Sequence, residues 1–578
     1  MLTIGAAPAV AAALTGAFLG AGLGSLIIQG RIWPIFSLVP LGVGVWVCLR
    51  ALVPSADRRR IGAVVAFGAA VHIALAVFIF TTSLAAGRGG FGPGDDAEYA
   101  NLARNFVAYL RGELDPALGP PWWGGELYLF RASGTWVYLE SAIFYLIGPE
   151  VIVPVFLNGA FALITALLMY DMVRRLFGGR GAVVALVLGT FFPSLLVWTS
   201  LNLKESLALV LIALCIWSLM RFHERPRSWP LTLAFAAVAP IETLRGYLFI
   251  GLAALIPLVV AISPRLPLRA RASWTVASVV VSVIFIGASQ NGIGLGPQLL
   301  QSFVAVREGM AVGARTAYVA PPPVAVHEGD TFVVPTVAPA AVPTRGPLAA
   351  TTSAPVATEP PSVVHVALDT RIVIVTGPPV APPSPGVVFV RPGDVVVVGG
   401  PERTPAATEA RRELVAPTPA PNVAVSTVAF TPDRSGPDAN TDTLVRRTVQ
   451  DLPIGLAYAL FAPFPWSLER RLDFALLPEM LLWYVCIVAA AATAIRERRS
   501  WQTVAPLTLL SAGLLGLFAL VEGNWGTLFR HRAMVIPWVL TLAAPSLWMA
   551  FAAVAMRRSP RVRSITHPRI SSGRTGIG

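Results

Sequence analysis

The sequence predicts an all-α polytopic membrane protein with about twelve transmembrane helices, and three observations carry that expectation. Hydrophobic residues fill 55% of the 578 positions. Mean hydropathy is +0.68. Runs of about 18 or more apolar residues recur, each long enough to cross the hydrocarbon layer as a helix. A transmembrane barrel would show short alternating strands instead.

Spans are expected near 5–29, 33–52, 61–84, 150–171, 181–200, 203–221, 229–243, 245–263, 273–289, 477–494, 501–521 and 533–556. The first lacks a basic leader and is too long for a signal h-region, so it reads as a retained span. Within it Gly16, Gly20 and Gly24 repeat at four-residue spacing, which predicts a close helix-packing face. Two short spans meet at ETLRG near residue 245, where a single kinked helix is the alternative.

The net charge of +13 is almost all arginine, with Lys204 the single lysine. The arginines cluster in short loops: Arg58, Arg59 and Arg60; Arg174, Arg175 and Arg180; Arg221, Arg225 and Arg227; Arg265, Arg269 and Arg271; Arg496, Arg498 and Arg499. That pattern is the positive-inside signature and needs no nucleic-acid partner. It places both termini in the cytoplasm of a multi-pass protein of the plasma membrane. Cys48, Cys215 and Cys486 fall within apolar spans, which predicts neither a disulfide framework nor a zinc site.

The chain therefore reads as four regions. Residues 1–290 form an N-terminal transmembrane module with an acidic first outer loop at 85–149. An extracytoplasmic segment at 291–452 follows, then C-terminal helices at 453–556 and a basic cytoplasmic tail at 557–578. Within the second region, residues 317–442 are rich in Pro, Val, Ala and Thr and have no helical period. Such composition predicts a mostly disordered insert. Inside it, GVVFVRPGDVVVVGG has the pattern of a hairpin about its RPGD turn.

The densest acids, Asp95, Asp96 and Glu98, stand in FGPGDDAEYANLARNF just beyond a membrane-length segment. Asp95 followed three residues later by Glu98 has the form of a capping box. Tyr99, Leu102, Phe106, Tyr109 and Leu110 share one stripe of the helix after it, which predicts a helix lying on the outer surface. Asp95, four residues before Tyr99, falls on that stripe and is expected to face the membrane. A carboxylate there can take a proton from a hydroxyl that is forming a bond, so a cap and a base both remain open.

GDDAEYANLARNF resembles the first-loop acidic pattern of GT-C-type glycosyltransferases, in the branch of the protein mannosyltransferases and the lipid A aminoarabinose transferase. The resemblance extends through FFPSLLVWTSLNLKESLALVLIAL and ETLRGYLFIGLAAL, weakly covers about 61–290 and returns at 453–556. It implies an inverting transfer of a hexosyl or pentosyl group from a polyprenyl-phosphate carrier to an acceptor hydroxyl. It places the general base at Asp95, the second acid at Asp96 and the aromatic position at Tyr99. Glu98, immediately before the tyrosine, departs from the pattern. A divalent cation stays open, since only some family members use one.

A phosphate leaving group needs positive charge on the same face. The outer turns offer Lys204 in LNLKES, Arg245 in ETLRGY, and Arg530, His531 and Arg532 in GTLFRHRAM. Each has a plainer account: Lys204 pairing with Glu205, Arg245 with Glu242, and the triplet snorkelling to headgroups. Trp122 and Trp123 complete the expected substrate loop with Glu98 and Tyr99. Aromatic rings stack on sugar faces, but they also line bilayer interfaces, and that is the simpler account of the two tryptophans.

No nucleotide fingerprint accompanies these residues, which points away from a nucleotide-sugar donor. The implied partners are a polyprenyl-phosphate sugar, the bilayer, and a glycan, lipid or protein acceptor. A polymerase or ligase acting on undecaprenyl-linked oligosaccharide is the alternative enzyme, and the acid motif favours the monosaccharide transferase. A transporter or flippase predicts inverted repeats and charges at helix midpoints, and a mere anchor for the insert leaves the acids unexplained.

Overall fold

The computed structural model describes residues 7–91, 95–113, 127–287, 452–462, 476–521 and 530–558, together with five short strands between 331 and 399. Trp122 and Trp123 lie outside the described residues. The chain divides into two compact units, Met1–Arg315 with Ala429–Gly578, and Thr316–Val428.

The described residues of the first unit are helical. In chain order the helices are α1 (Ala7–Ile28), α2 (Trp33–Phe36), α3 (Leu38–Leu52), α4 (Arg58–Ala85), α5 (Asp96–Leu110), α6 (Leu127–Ile147) and α7 (Ile152–Phe177). Next come α8 (Gly179–Phe191), α9 (Pro193–Trp198), α10 (Glu205–Glu224), α11 (Ser228–Val238), α12 (Ile241–Leu244), α13 (Gly246–Ala261) and α14 (Leu268–Gly287). The last four are α15 (Leu452–Phe461), α16 (Leu477–Arg496), α17 (Trp501–Val521) and α18 (Ile536–Arg558).

Among the described residues seven helical runs are long and apolar enough to cross a membrane, against about twelve expected of the whole chain. The difference has visible causes. Three apolar helices are shorter than a span: α8 with 13 residues, α13 with 16 and α15 with 10. One 43-residue run, Leu477–Ala519, joins two expected spans through the 3-10 turn Glu497–Ser500. At ETLRG two short helices, α11 and α13, come together rather than one kinked helix, with the four-residue α12 set between breaks at Pro240 and Arg245. α11 packs on α10, whereas α13 packs on α14.

α7 is the central helix, buried along most of its length against α3, α4, α8, α10 and α18. From Ala160 on, its buried apolar residues share one core with Trp136, Trp483 and Trp538, whereas Ile152, Val153, Val155 and Phe156 pack in a second one. Gly178, at φ 89°, ends it in a conformation that other residues avoid, and α8 turns back along it. The glycine repeat of α1 is not its packing face. An added Cβ at Gly16, Gly20 or Gly24 would meet nothing within 4 Å, whereas one at Gly22 would reach Ala74 and Ile73 of α4 at 3.4 Å. Gly22 and the buried Leu26 form the contact line, one turn apart, and the repeat falls on another side.

α7 and α10 run between two differently charged ends. At the end where both finish, the buried Asp171 accepts hydrogen bonds from Arg174 and Arg175, each at 2.5 Å, and from Trp217 at 2.8 Å. Arg175 also reaches Glu224 at 3.1 Å. Glu205 lies at the other end of the 20-residue α10, about 30 Å away at 1.5 Å per residue.

The described residues of the second unit are strands. β1 (Thr331–Val333), β5 (Val395–Gly399) and β3 (Arg371–Ile374) make an antiparallel sheet in that order, and β2 (Ser362–Val364) pairs antiparallel with β4 (Val388–Val390). The expected hairpin about RPGD is not formed. β5 is paired on both edges by β1 and β3, so β4 takes another partner. The rest of the insert lies outside the described residues.

Candidate active site

Five segments of the first unit converge: the start of α5, the 199–204 turn, the start of α10, the α12–α13 break, and residues 530–532 ahead of α18. Local sequence explains the convergence. Pro193 opens the short α9, and the following turn exposes carbonyls that a helix would have consumed. Asn158 of α7 satisfies two of them, donating to Leu201 at 2.7 Å and to Leu203 at 2.9 Å. Lys204 and Glu205 are thereby fixed at the mouth of α10. Arg245 stands between α12 and α13 at φ −158°, extended backbone that turns its side chain out of the helix line.

These segments join one chain of charges. Arg530 donates from Nη1 to Asp95 Oδ2 at 2.9 Å, and its Nη2 lies 2.8 Å from Glu205 Oε1. Arg245 donates from Nη2 to the same Glu205 oxygen at 2.7 Å. Tyr99 donates its hydroxyl to Asp95 Oδ2 at 3.3 Å, and Lys204 Nζ stands 5.5 Å from the centroid of the Tyr99 ring. Three cations, Arg530, Arg245 and Lys204, thus stand around the Asp95 and Glu205 carboxylates. Burial, and then the Arg245 guanidinium, push the Lys204 ammonium down to about 7, with Glu205 acting against them.

Asp95 does not lie on the buried stripe of α5. The buried positions are Asp96, Tyr99, Ala100, Leu102, Ala103 and Val107, a line that starts one residue later than expected. Phe106 and Tyr109 are half-buried, as is Glu98, and Leu110 is exposed. The Asp95 side chain keeps 47% of its surface, whereas Asp96 keeps 2%. The capping box is not made either. Asp95 is the N-cap by position but has helical dihedrals and gives no side-chain cap hydrogen bond, because Arg530 and Tyr99 hold its carboxylate. Asp96 Oδ1 accepts from the Ala97 amide at 3.0 Å.

The cationic residues divide in two. Arg530, Arg245 and Lys204 gather at the acids. Arg532 turns away: it donates to the Ala462 carbonyl at the end of α15 and to Met480 sulfur at 3.2 Å, and lies 5.7 Å from the Trp483 ring centroid. His531 is buried, stacked on Phe518 with centroids 5.5 Å apart. Arg245 meets Glu205 rather than Glu242.

Three residues enter that sequence reasoning passed over. Glu205 stands in LNLKES as a plain neighbour of Lys204, and only the fold shows two arginines on it. Glu140 and Asn202 carry no motif. Asn202 donates to Glu140 Oε1 at 2.7 Å and to the Asp96 carbonyl at 3.3 Å. A buried acid within the otherwise apolar WVYLESAIFYL was the available signal. Among the described residues no three His, Cys, Asp or Glu side chains come together as a cation site.

Residues 135–288 match the family model described as dolichyl-phosphate-mannose-protein mannosyltransferase. The matched segment is that of a GT-C-type membrane glycosyltransferase. It contains Glu140, Asn202, Lys204, Glu205 and Arg245 and stops short of Asp95, Asp96 and Arg530 on either side. No curated protein and no solved structure matches the chain.

Proposed function

We propose that this chain transfers one sugar from a polyprenyl-phosphate donor to an acceptor hydroxyl at the extracytoplasmic face of the plasma membrane, with inversion. The observation that carries the reading is the half-exposed Asp95 carboxylate, tied through Arg530 and Glu205 to Arg245, with Lys204 beside Tyr99. Asp95 accepts the acceptor's hydroxyl proton. That oxygen bonds to the anomeric carbon from one face as the bond from carbon to phosphate oxygen breaks on the other. The departing phosphate carries the electron pair to Arg530 and Arg245, whose charges stabilise it more than they do the bridging oxygen of the donor, while Lys204 holds the phosphate alike in donor and product. Asp96 positions the start of α5, on which Glu98 and Tyr99 stand beside the base. Arg532 and His531 support the site by holding the C-terminal helices.

The sidedness has a physical basis. The site stands at one end of α10 and the Asp171 arginine cluster at the other, about one hydrocarbon thickness apart. With the arginines inside, the site is outside. The same bookkeeping puts both termini in the cytoplasm.

The test is transfer in proteoliposomes with a panel of polyprenyl-phosphate sugars, wild type against Asp95→Asn. Since the carboxylate caps nothing, the variant is expected to fold and insert. It lacks a group that takes a proton at neutral pH, so the rate is expected to fall by about 10²–10⁴. Wild-type turnover by Asp95→Asn on a donor the wild type uses overturns the assignment. Turnover of oligosaccharide donors alone would favour the polymerase or ligase.

A further inference from the structure

We propose that Glu140 is a positioning residue that acts as a neutral carboxylic acid, fixing the acid end of α5 through Asn202, so that the transfer rate depends on its staying protonated. The inference rests on the reading of Asp95 as the base.

Glu140 lies within α6 with no exposed surface. Its Oε1 accepts from Asn202 Nδ2 at 2.7 Å, and the same amide group donates to the backbone carbonyl of Asp96 at 3.3 Å. One side chain therefore spans from α6 to the residue beside Asp95. Two atoms of the pair are left over: Glu140 Oε2 and Asn202 Oδ1 are buried without a partner. Both are acceptors when Glu140 is ionised, and a buried unmet acceptor is costly. A proton on the carboxyl supplies the one donor that the pair lacks, because a carboxylic acid and a primary amide complement each other at two points.

No cation neutralises Glu140 instead. Arg104, on α5, donates to Asn101 at 3.0 Å, and Glu140 forms no ion pair among the described residues. Burial pushes the Glu140 carboxyl up to about 8; the Asn202 hydrogen bond and Arg104 act against it, and Asp96 adds to it. Arg104 and Asp96 are the charged groups that face it, both from α5. The 199–204 turn meets it through Asn202, and α12 meets α6 through Thr243, neither of which titrates. At pH 7 the acid is mostly neutral and the pairing intact. Above its ionisation the pair loses its donor and gains an uncompensated charge, and the hold on the Asp96 carbonyl weakens.

The experiment measures kcat at saturating donor from pH 6 to 9.5 for wild type, Glu140→Gln and Glu140→Ala. Wild-type kcat is expected to fall about tenfold between pH 7 and 9, as one group near 8 ionises. Glutamine keeps a donor and an acceptor where the neutral acid has them. Glu140→Gln is therefore expected within about threefold of wild type at pH 7, with the alkaline fall gone. Glu140→Ala is expected at least tenfold slower at every pH. Should the alanine variant fail to fold, the glutamine profile decides alone. A Glu140→Gln variant that keeps the alkaline fall, or is inactive at pH 7 though folded, overturns the proposal. Asp95→Asn separates the two readings: if it turns over normally, the base assignment fails, while the Glu140 profile still reports whether the acid must be neutral.

Discussion

Asp95 owes its place at the head of α5 to an arginine that lies 435 residues further along the chain, and not to the helix it begins. The sequence marked Asp95, Lys204, Arg245 and Arg530 because each is a charge beside an apolar run, where charge is expensive. It could not say which of them meet. Arg245 has Glu242 three residues before it and takes Glu205, 40 residues away, because the α12–α13 break swings it off its own helix. Lys204 carries a prediction at this scale. Its ammonium is held down to about 7, so rising pH removes a proton and a contact with the donor phosphate. The donor KM is expected to rise between pH 6.5 and 8.5, by about tenfold or more if the lost contact is worth 1.5–3 kcal/mol. Lys204→Arg stays charged throughout and is expected to flatten that rise. Steady-state kinetics across the pH range check both, and a donor KM independent of pH in the wild type contradicts the role.

At the scale of elements, hydropathy located the spans but not how the helices close on one another. α15 and α17 are the clearest case. A Cβ on Gly455 would stand 2.5 Å from the Ala519 carbonyl oxygen, a backbone atom that cannot swing aside. Gly455→Ala is expected to force α15 off α17 and cost about 1–3 kcal/mol. The loss should appear as a lower melting temperature in detergent. Gly20→Ala, with nothing within 4 Å, is the control and should leave it unchanged. The Gly20 repeat looked like the packing face because spacing alone does not give the rotation of a helix. Only the neighbouring surface does, and here Gly22 and Leu26 meet it. For the same reason the buried stripe of α5 begins at Asp96, not Asp95.

The molecule as a whole was legible as helical, multi-pass and interrupted by a Pro-rich insert, because apolar run length and composition dictate those features. The meeting of two short helices at ETLRG was legible as well, but the second break at Pro240, which sets off α12, was not. The insert gives the prediction at this scale. Thr316–Val428 is a compact unit in itself, and all the described residues of the site belong to the other unit. Replacing 325–438 with a short Gly/Ser linker is therefore expected to leave transfer to a minimal acceptor within about threefold of wild type. Loss of transfer by a folded, membrane-inserted variant would give the insert a part in the chemistry. Loss confined to a natural acceptor would make it a docking element.

The long reach from Asp95 to Arg530 also sets a schedule. A ribosome adding about 5–20 residues per second needs roughly 20–90 s to travel the 435 positions between them. During that interval the acid has been made and its counter-charge has not. Glu205, Arg245 and the Tyr99 hydroxyl are already made, but the arginine that pairs with the Asp95 carboxylate is not. The cluster is completed late in the chain's own synthesis, once the C-terminal helices have arrived.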